Sequence, residues 1–203
     1  MYTEGINTKG GEELTDTEMI KRCKDGDREA FNALMEKYQN IMFGMAYNML
    51  SDYQDAEDAV QETFIKAYKS ISSFKGDSAF TTWLYVICRN SCNDILRKRQ
   101  KHSVITSIDA DEADGGPLKE IKSDAPTPED VVELNETQAL VRDAINSLKP
   151  EYKEVLILSD IQQLSYDEVS AVLKIPNGTV KSRLNRARNA LRKKLSDKRE
   201  LFA

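Results

Sequence analysis

Three groups of side chains in this sequence carry chemistry that a packed core does not need. The first is basic: Lys174, Lys181, Arg183, Arg186, Arg188, Arg192, Lys193 and Lys194, with no acid between 174 and 194. Charges this dense neutralise phosphate, and Arg or Lys on a helix can also reach base edges in a major groove. The second group joins cations to amides and a ring. Arg89, Asn90, Asn93 and Arg97 follow a loop, 72–78, that contains Phe74. Cations for phosphate, amides for base edges and aromatics for stacking are how unpaired nucleic acid is held. The third group is acidic: Asp55, Glu57, Asp58, Gln61 and Glu62, with Lys66, on one side of a helical segment. It is either a solvated face or a protein-binding one. Carboxylate metal sites in helical bundles pair Glu with His at i+3, and no histidine lies in this segment.

The inventory leaves little for catalysis. His102 is the one histidine, and the cysteines are Cys23, Cys88 and Cys92. Cys88 and Cys92 share a helix face, but a zinc site would need all four residues to converge; buried thiols in a reducing compartment are the simpler reading. No metal, no cofactor and no enzymatic activity are expected. The chain has no apolar run long enough to span a membrane and no signal-peptide pattern at its N-terminus, so a cytoplasmic protein is expected.

Net charge is −5 over 203 residues, which alone argues against nucleic acid. The distribution reverses that argument. Residues 89–102 carry a balance of +4, 107–138 one of −8, and 174–194 one of +8. Two basic blocks separated by an acidic one make a segregated field.

The elements that must position these groups are helical, and an all-α fold is expected. Apolar residues recur at three and four through 28–50, 55–71 and 79–98, after a short helix over 17–24. Together 13–102 form an N-terminal helical bundle, behind a disordered lead over 1–12. Residues 103–134 hold Gly115, Gly116, Pro117, Pro126, Pro128 and nine acids. That is an extended linker, too long for a connection within one compact domain. It is either an inert tether or an acidic strand that occupies a basic channel in a partner. Helical spacing resumes over 135–203, giving a four-helix domain. Pro150 opens one helix, and Ser165 with Glu168 makes a capping box for the next. Pro176-Asn177-Gly178 then turns into the basic helix, whose stripe is Val180, Leu184, Ala187, Leu191 and Leu195. Two short helices, a tight turn and a basic second helix read as a helix-turn-helix.

At these residues the sequence resembles the extracytoplasmic-function (ECF) group of bacterial RNA polymerase sigma factors. The segment 55–64, DAEDAVQETF, resembles the polymerase-binding helix of sigma region two. The segment 73–84, SFKGDSAFTTWL, resembles the part that opens and reads the minus-ten element. The segments 178–184, GTVKSRL, and 186–188, RAR, resemble the recognition helix of region four. On this resemblance 13–102 is sigma region two and 135–203 region four.

The resemblance implies a transcription initiation factor that binds core RNA polymerase, directs it to bipartite promoters and helps melt the minus-ten region. It implies that Asp55, Asp58, Gln61 and Glu62 dock on the polymerase clamp. Phe74, Lys75, Gly76, Asp77 and Ser78 would capture a flipped base, with Arg89, Asn90, Asn93 and Arg97 along the same strand. Trp83 is either core or a strand-separating wedge. Lys181, Ser182, Asn185 and Arg186 would contact bases of the minus-thirty-five element, and Thr179, Arg183, Arg188 and Arg192 phosphates. An anti-sigma factor, often membrane-bound in this group, is the implied regulator. The competing reading is a dimeric helix-turn-helix activator or repressor acting on duplex DNA only. A DNA-processing enzyme lacks a nucleophile or carboxylate constellation beside the basic helices.

Overall fold

The computed structural model describes residues 14–108 and 130–200. The lead over 1–12 and most of the 103–134 linker lie outside the described residues. Among the described residues eight α-helices follow one another: α1 Asp16–Lys24, α2 Arg28–Leu50, α3 Tyr53–Ser70, α4 Phe80–Ile108, α5 Asp130–Asn146, α6 Pro150–Leu156, α7 Tyr166–Leu173 and α8 Asn177–Glu200. A 3-10 turn, Ile71–Ser73, extends α3, and a π-helical turn, Ile157–Ile161, extends α6. No strand occurs among the described residues, and none of their helices is long and apolar enough to cross a membrane.

Four helix starts are written into the sequence as caps. Thr15 and Glu18 close a reciprocal box at α1, and Ser165 and Glu168 do the same at α7. Asp27 and Asp52 cap α2 and α3. Two helices run further than periodicity alone indicates. α4 continues to Ile108 rather than ending near Lys98, because no Gly or Pro interrupts 99–108. α5 begins at Asp130, shortly after Pro128.

The turn of the helix-turn-helix also differs from expectation. Lys174 takes the left-handed conformation, φ 55°, and ends α7, while Asn177 and Gly178 already belong to α8. Gly178 therefore supplies no special backbone conformation, and an added Cβ would meet nothing within 4 Å. Gly178→Ala is expected to stabilise the chain by about 0.5–1 kcal/mol, read as a raised melting temperature. A lowered one would show that the glycine is needed by the fold.

Core formation follows the stripes. On α2, Leu34, Met42, Met45 and Ala46 are at most 1% exposed. Ala56, Ala59 and Ala67 of α3 are completely buried, and their small side chains let that helix close on its neighbours. On α4 the buried line is Leu84, Cys88 and Cys92. The two halves do not remain apart. Val155, Ile157, Leu158, Val169 and Val172 join the same continuous cluster as Met42, Leu84 and Cys88. A smaller cluster of Ile145, Leu156 and Ala187 ties α5 and α6 to α8.

Candidate nucleic-acid interface

α8 presents its basic face as its stripe requires. Val180, Leu184 and Ala187 are at most 1% exposed, which turns Lys181, Ser182, Asn185 and Arg186 together toward solvent. Thr179 and Arg183 flank that face, half-buried. Asn185 is engaged by its own helix, its amide oxygen accepting from Asn189 Nδ2 at 2.9 Å. Arg188 is paired within the chain: it donates twice to Asp160, from Nε at 2.9 Å and Nη2 at 2.6 Å. The helix start is pinned by the Asn177 amide donating to Asp167 of α7.

The loop between α3 and α4 splits by residue type. Lys75, Gly76, Asp77 and Ser78 are exposed, and Gly76 takes φ +83°, which favours glycine. Phe74 does not join them. It is 7% exposed, with its ring 5.6 Å from Phe80 and 5.2 Å from Trp83. The expectation of a ring offered to a base is corrected: two aromatics at 80 and 83 draw Phe74 into the core. Trp83, half-buried in the same nest, packs as a core-edge residue rather than standing out as a wedge. The backbone of the loop is held from α1, where Lys24 Nζ donates to the Phe74 carbonyl at 2.6 Å.

α4 distributes its cations and amides over two faces. Asn90 and Arg97 are exposed, whereas Arg89 and Asn93 point at the second half of the chain. The four are not one continuous strip. Arg99, absent from the expected set, pairs with Asp55 and Asp52 and donates to the Leu50 carbonyl at 3.2 Å.

On α3, Asp58, Gln61 and Glu62 are exposed and Asp55 is half-buried beneath Arg99. Tyr68, whose spacing within 55–71 reads as core, is 43% exposed. With Tyr53 and Ile65, 62% and 41% exposed, it borders a groove between α2 and α3 that continues the acidic face. All three cysteines are buried and free. The hydrogen bond with Cys88, then burial, pushes the Cys92 thiol up.

Sequence comparison supplies the family. The sigma-70 region 2 model matches residues 34–102 and a sigma-70 region 4 model matches 138–191. An ECF RNA polymerase sigma-E factor of Haemophilus influenzae is 37% identical over 184 residues, 91% of this chain and 97% of the relative. Its counterpart in Escherichia coli is 38% identical over 188 residues, 91% and 96% of the two chains. The chain belongs to the ECF RNA polymerase sigma factors.

Two solved structures share the fold of this sigma factor. CnrH, in complex with the cytosolic domain of CnrY, superposes with a TM-score of 0.67 at 22% identity, over 90% of this chain and 97% of the other. The sigma factor RpoE of Bartonella quintana, in complex with the anti-sigma factor NepR, gives 0.62 at 26% identity, over 82% and 96%. In this sigma factor the region 2 match covers most of α2, then α3, the loop and α4 as far as 102; the region 4 match covers most of α5, then α6, α7 and α8 as far as 191. α1 lies outside both matches, yet it carries Lys24. Lys24 gave no sequence signal beyond a basic residue in a last helical turn, which the helix dipole already favours.

Proposed function

We infer that this sigma factor binds core RNA polymerase, directs it to promoters with two elements and assists opening of the minus-ten region. α3 is the polymerase face, through Asp55, Asp58, Gln61 and Glu62 with the apolar rim of Tyr53, Ile65 and Tyr68. The exposed loop 75–78 with Asn90 and Arg97 receives the unpaired strand, and Arg89 and Asn93, on the other face of α4, are further strand contacts. α8 reads the upstream duplex with Lys181, Ser182, Asn185 and Arg186, while Thr179, Arg183 and Arg188 meet phosphate. The observation that carries this reading is the separation of labour in one chain. A duplex-reading helix lies in one half, and an exposed loop beside amides and cations lies in the other. Action is by binding alone: capture of an unstacked base offsets a cost of a few kcal/mol. The Bartonella complex supports an anti-sigma partner for this chain as well.

Run-off transcription with core polymerase over a promoter library tests the reading and returns the recognised sequence. A dimeric regulator of duplex DNA would instead bind its site alone and fail to co-elute with core polymerase. Within the upstream contact, Lys181→Ala and Arg186→Ala are each expected to lower discrimination for the minus-thirty-five element by about 1–3 kcal/mol. Equal transcription by both variants from intact and scrambled upstream elements would refute those two contacts.

A further inference from the structure

Lys24 is the last residue of α1, in a turn that also carries Lys21 and Arg22. The helix dipole accounts for basic residues in a last turn but not for where they reach. Arg22 folds back on Asp27, with Nε at 2.8 Å, and ties the end of α1 to the cap of α2. Lys24 crosses to a residue 50 positions further on: its Nζ donates to the Phe74 carbonyl at 2.6 Å and lies 5.9 Å from the centre of the Phe74 ring. Phe74 is thereby held at three points. Its ring packs on Phe80 and Trp83, its N–H donates to the Ile71 carbonyl at 3.1 Å, and its own carbonyl accepts from Lys24. The first two holds come from the segment 71–83 itself. The third is supplied by α1.

The consequence falls on the four residues that follow. A trans peptide is planar, so fixing the Phe74 carbonyl fixes the Lys75 N–H in the opposite direction. Among the described residues no group accepts from the backbone N–H of Lys75, Gly76, Asp77 or Ser78. The shape of this exposed stretch is therefore set at its ends. We propose that Lys24 is the positioning residue of the base-capturing loop: by fixing the 74–75 peptide it holds 75–78 in the one shape that receives an unpaired base, and so sets discrimination at that base. This rests on reading the loop as the capture site. A site for a single base works in one loop conformer, and its apparent affinity falls with the fraction of time spent in that conformer. Phosphate contacts elsewhere along the strand carry no sequence information and do not depend on the loop. Loss of the clamp is felt at one base position, not along the whole promoter.

The test is run-off transcription by the full chain with core polymerase over a promoter library, scored position by position. Lys24→Met keeps a long apolar stem and removes the ammonium. It is expected to lower discrimination at one minus-ten position on the order of fivefold to tenfold, the change for a competent conformer that falls from most of the population to about a tenth. The other minus-ten preferences and all minus-thirty-five preferences should match the parent. Lys24→Arg, whose guanidinium can donate to the same carbonyl, should recover the parental profile. Lys21→Met removes a charge from the same turn of α1 and should leave the profile unchanged. Circular dichroism establishes that each variant is folded. A Lys24→Met profile equal to the parent's, a loss spread evenly over all positions, an equal flattening by Lys21→Met, or no recovery in Lys24→Arg would each overturn the proposal. Failure of the sigma reading shows differently, as a parent chain that gives no promoter-dependent transcript.

Discussion

Replacing Asp58 and Glu62 together by lysine is expected to weaken the complex with core polymerase at least 100-fold, about 3 kcal/mol or more. The two residues lie at i and i+4 on α3, both exposed, so the substitution turns an acidic face basic without touching the core. Placing like charges opposite one another at an interface costs several kcal/mol. The fold should bear the change. Surface substitutions usually fall within about 0.5 kcal/mol, and the one ion pair lost, Lys66 with Glu62 at 3.5 Å, is exposed and worth little. Fluorescence titration with core polymerase reads the loss, and circular dichroism establishes that the double variant is folded. Parental affinity in the double variant would remove α3 from the docking surface.

Leu84→Ala should be the most damaging single truncation. Leu84 is completely buried on α4, within the cluster shared by both halves. Deleting a buried leucine side chain costs about 2–5 kcal/mol, from lost transfer energy and the cavity left behind. For a chain of this size that is roughly 5–15 °C of melting temperature. Because the cluster reaches from Met42 to Val172, signals from either half should shift together. A loss below about 1 kcal/mol in thermal unfolding would show that the shared core is not built around this side chain.

The recognition face of α8 was legible because two patterns fix it jointly. The stripe at Val180, Leu184 and Ala187 sets the buried side, and the basic residues between have only solvent left. Helix types were legible for the same reason, and caps such as Ser165 with Glu168 marked their starts. The loop was harder. Composition says that 72–78 is exposed, and that holds for Lys75 to Ser78, but Phe74 answers to Phe80 and Trp83. Tyr68 failed in the opposite sense: its spacing on α3 reads as core, yet no neighbouring helix covers it fully. The division of α4 into two faces was not legible at all. Arg89 and Glu154 are 65 positions apart, and local periodicity carries no term for a partner that distant.

The anchoring of the loop by α1 bears on how this molecule can be taken apart. A fragment beginning at residue 34, where the region 2 match begins, leaves α1 behind. It loses Met19, Ile20 and Cys23 from the core, the Asp16 acceptor of the Tyr38 hydroxyl, and the ammonium that holds the Phe74 carbonyl. What remains is a recognisable homology segment but not a portable module. The loop over 75–78 would hang from one side only, so the smallest transferable region 2 unit starts at α1.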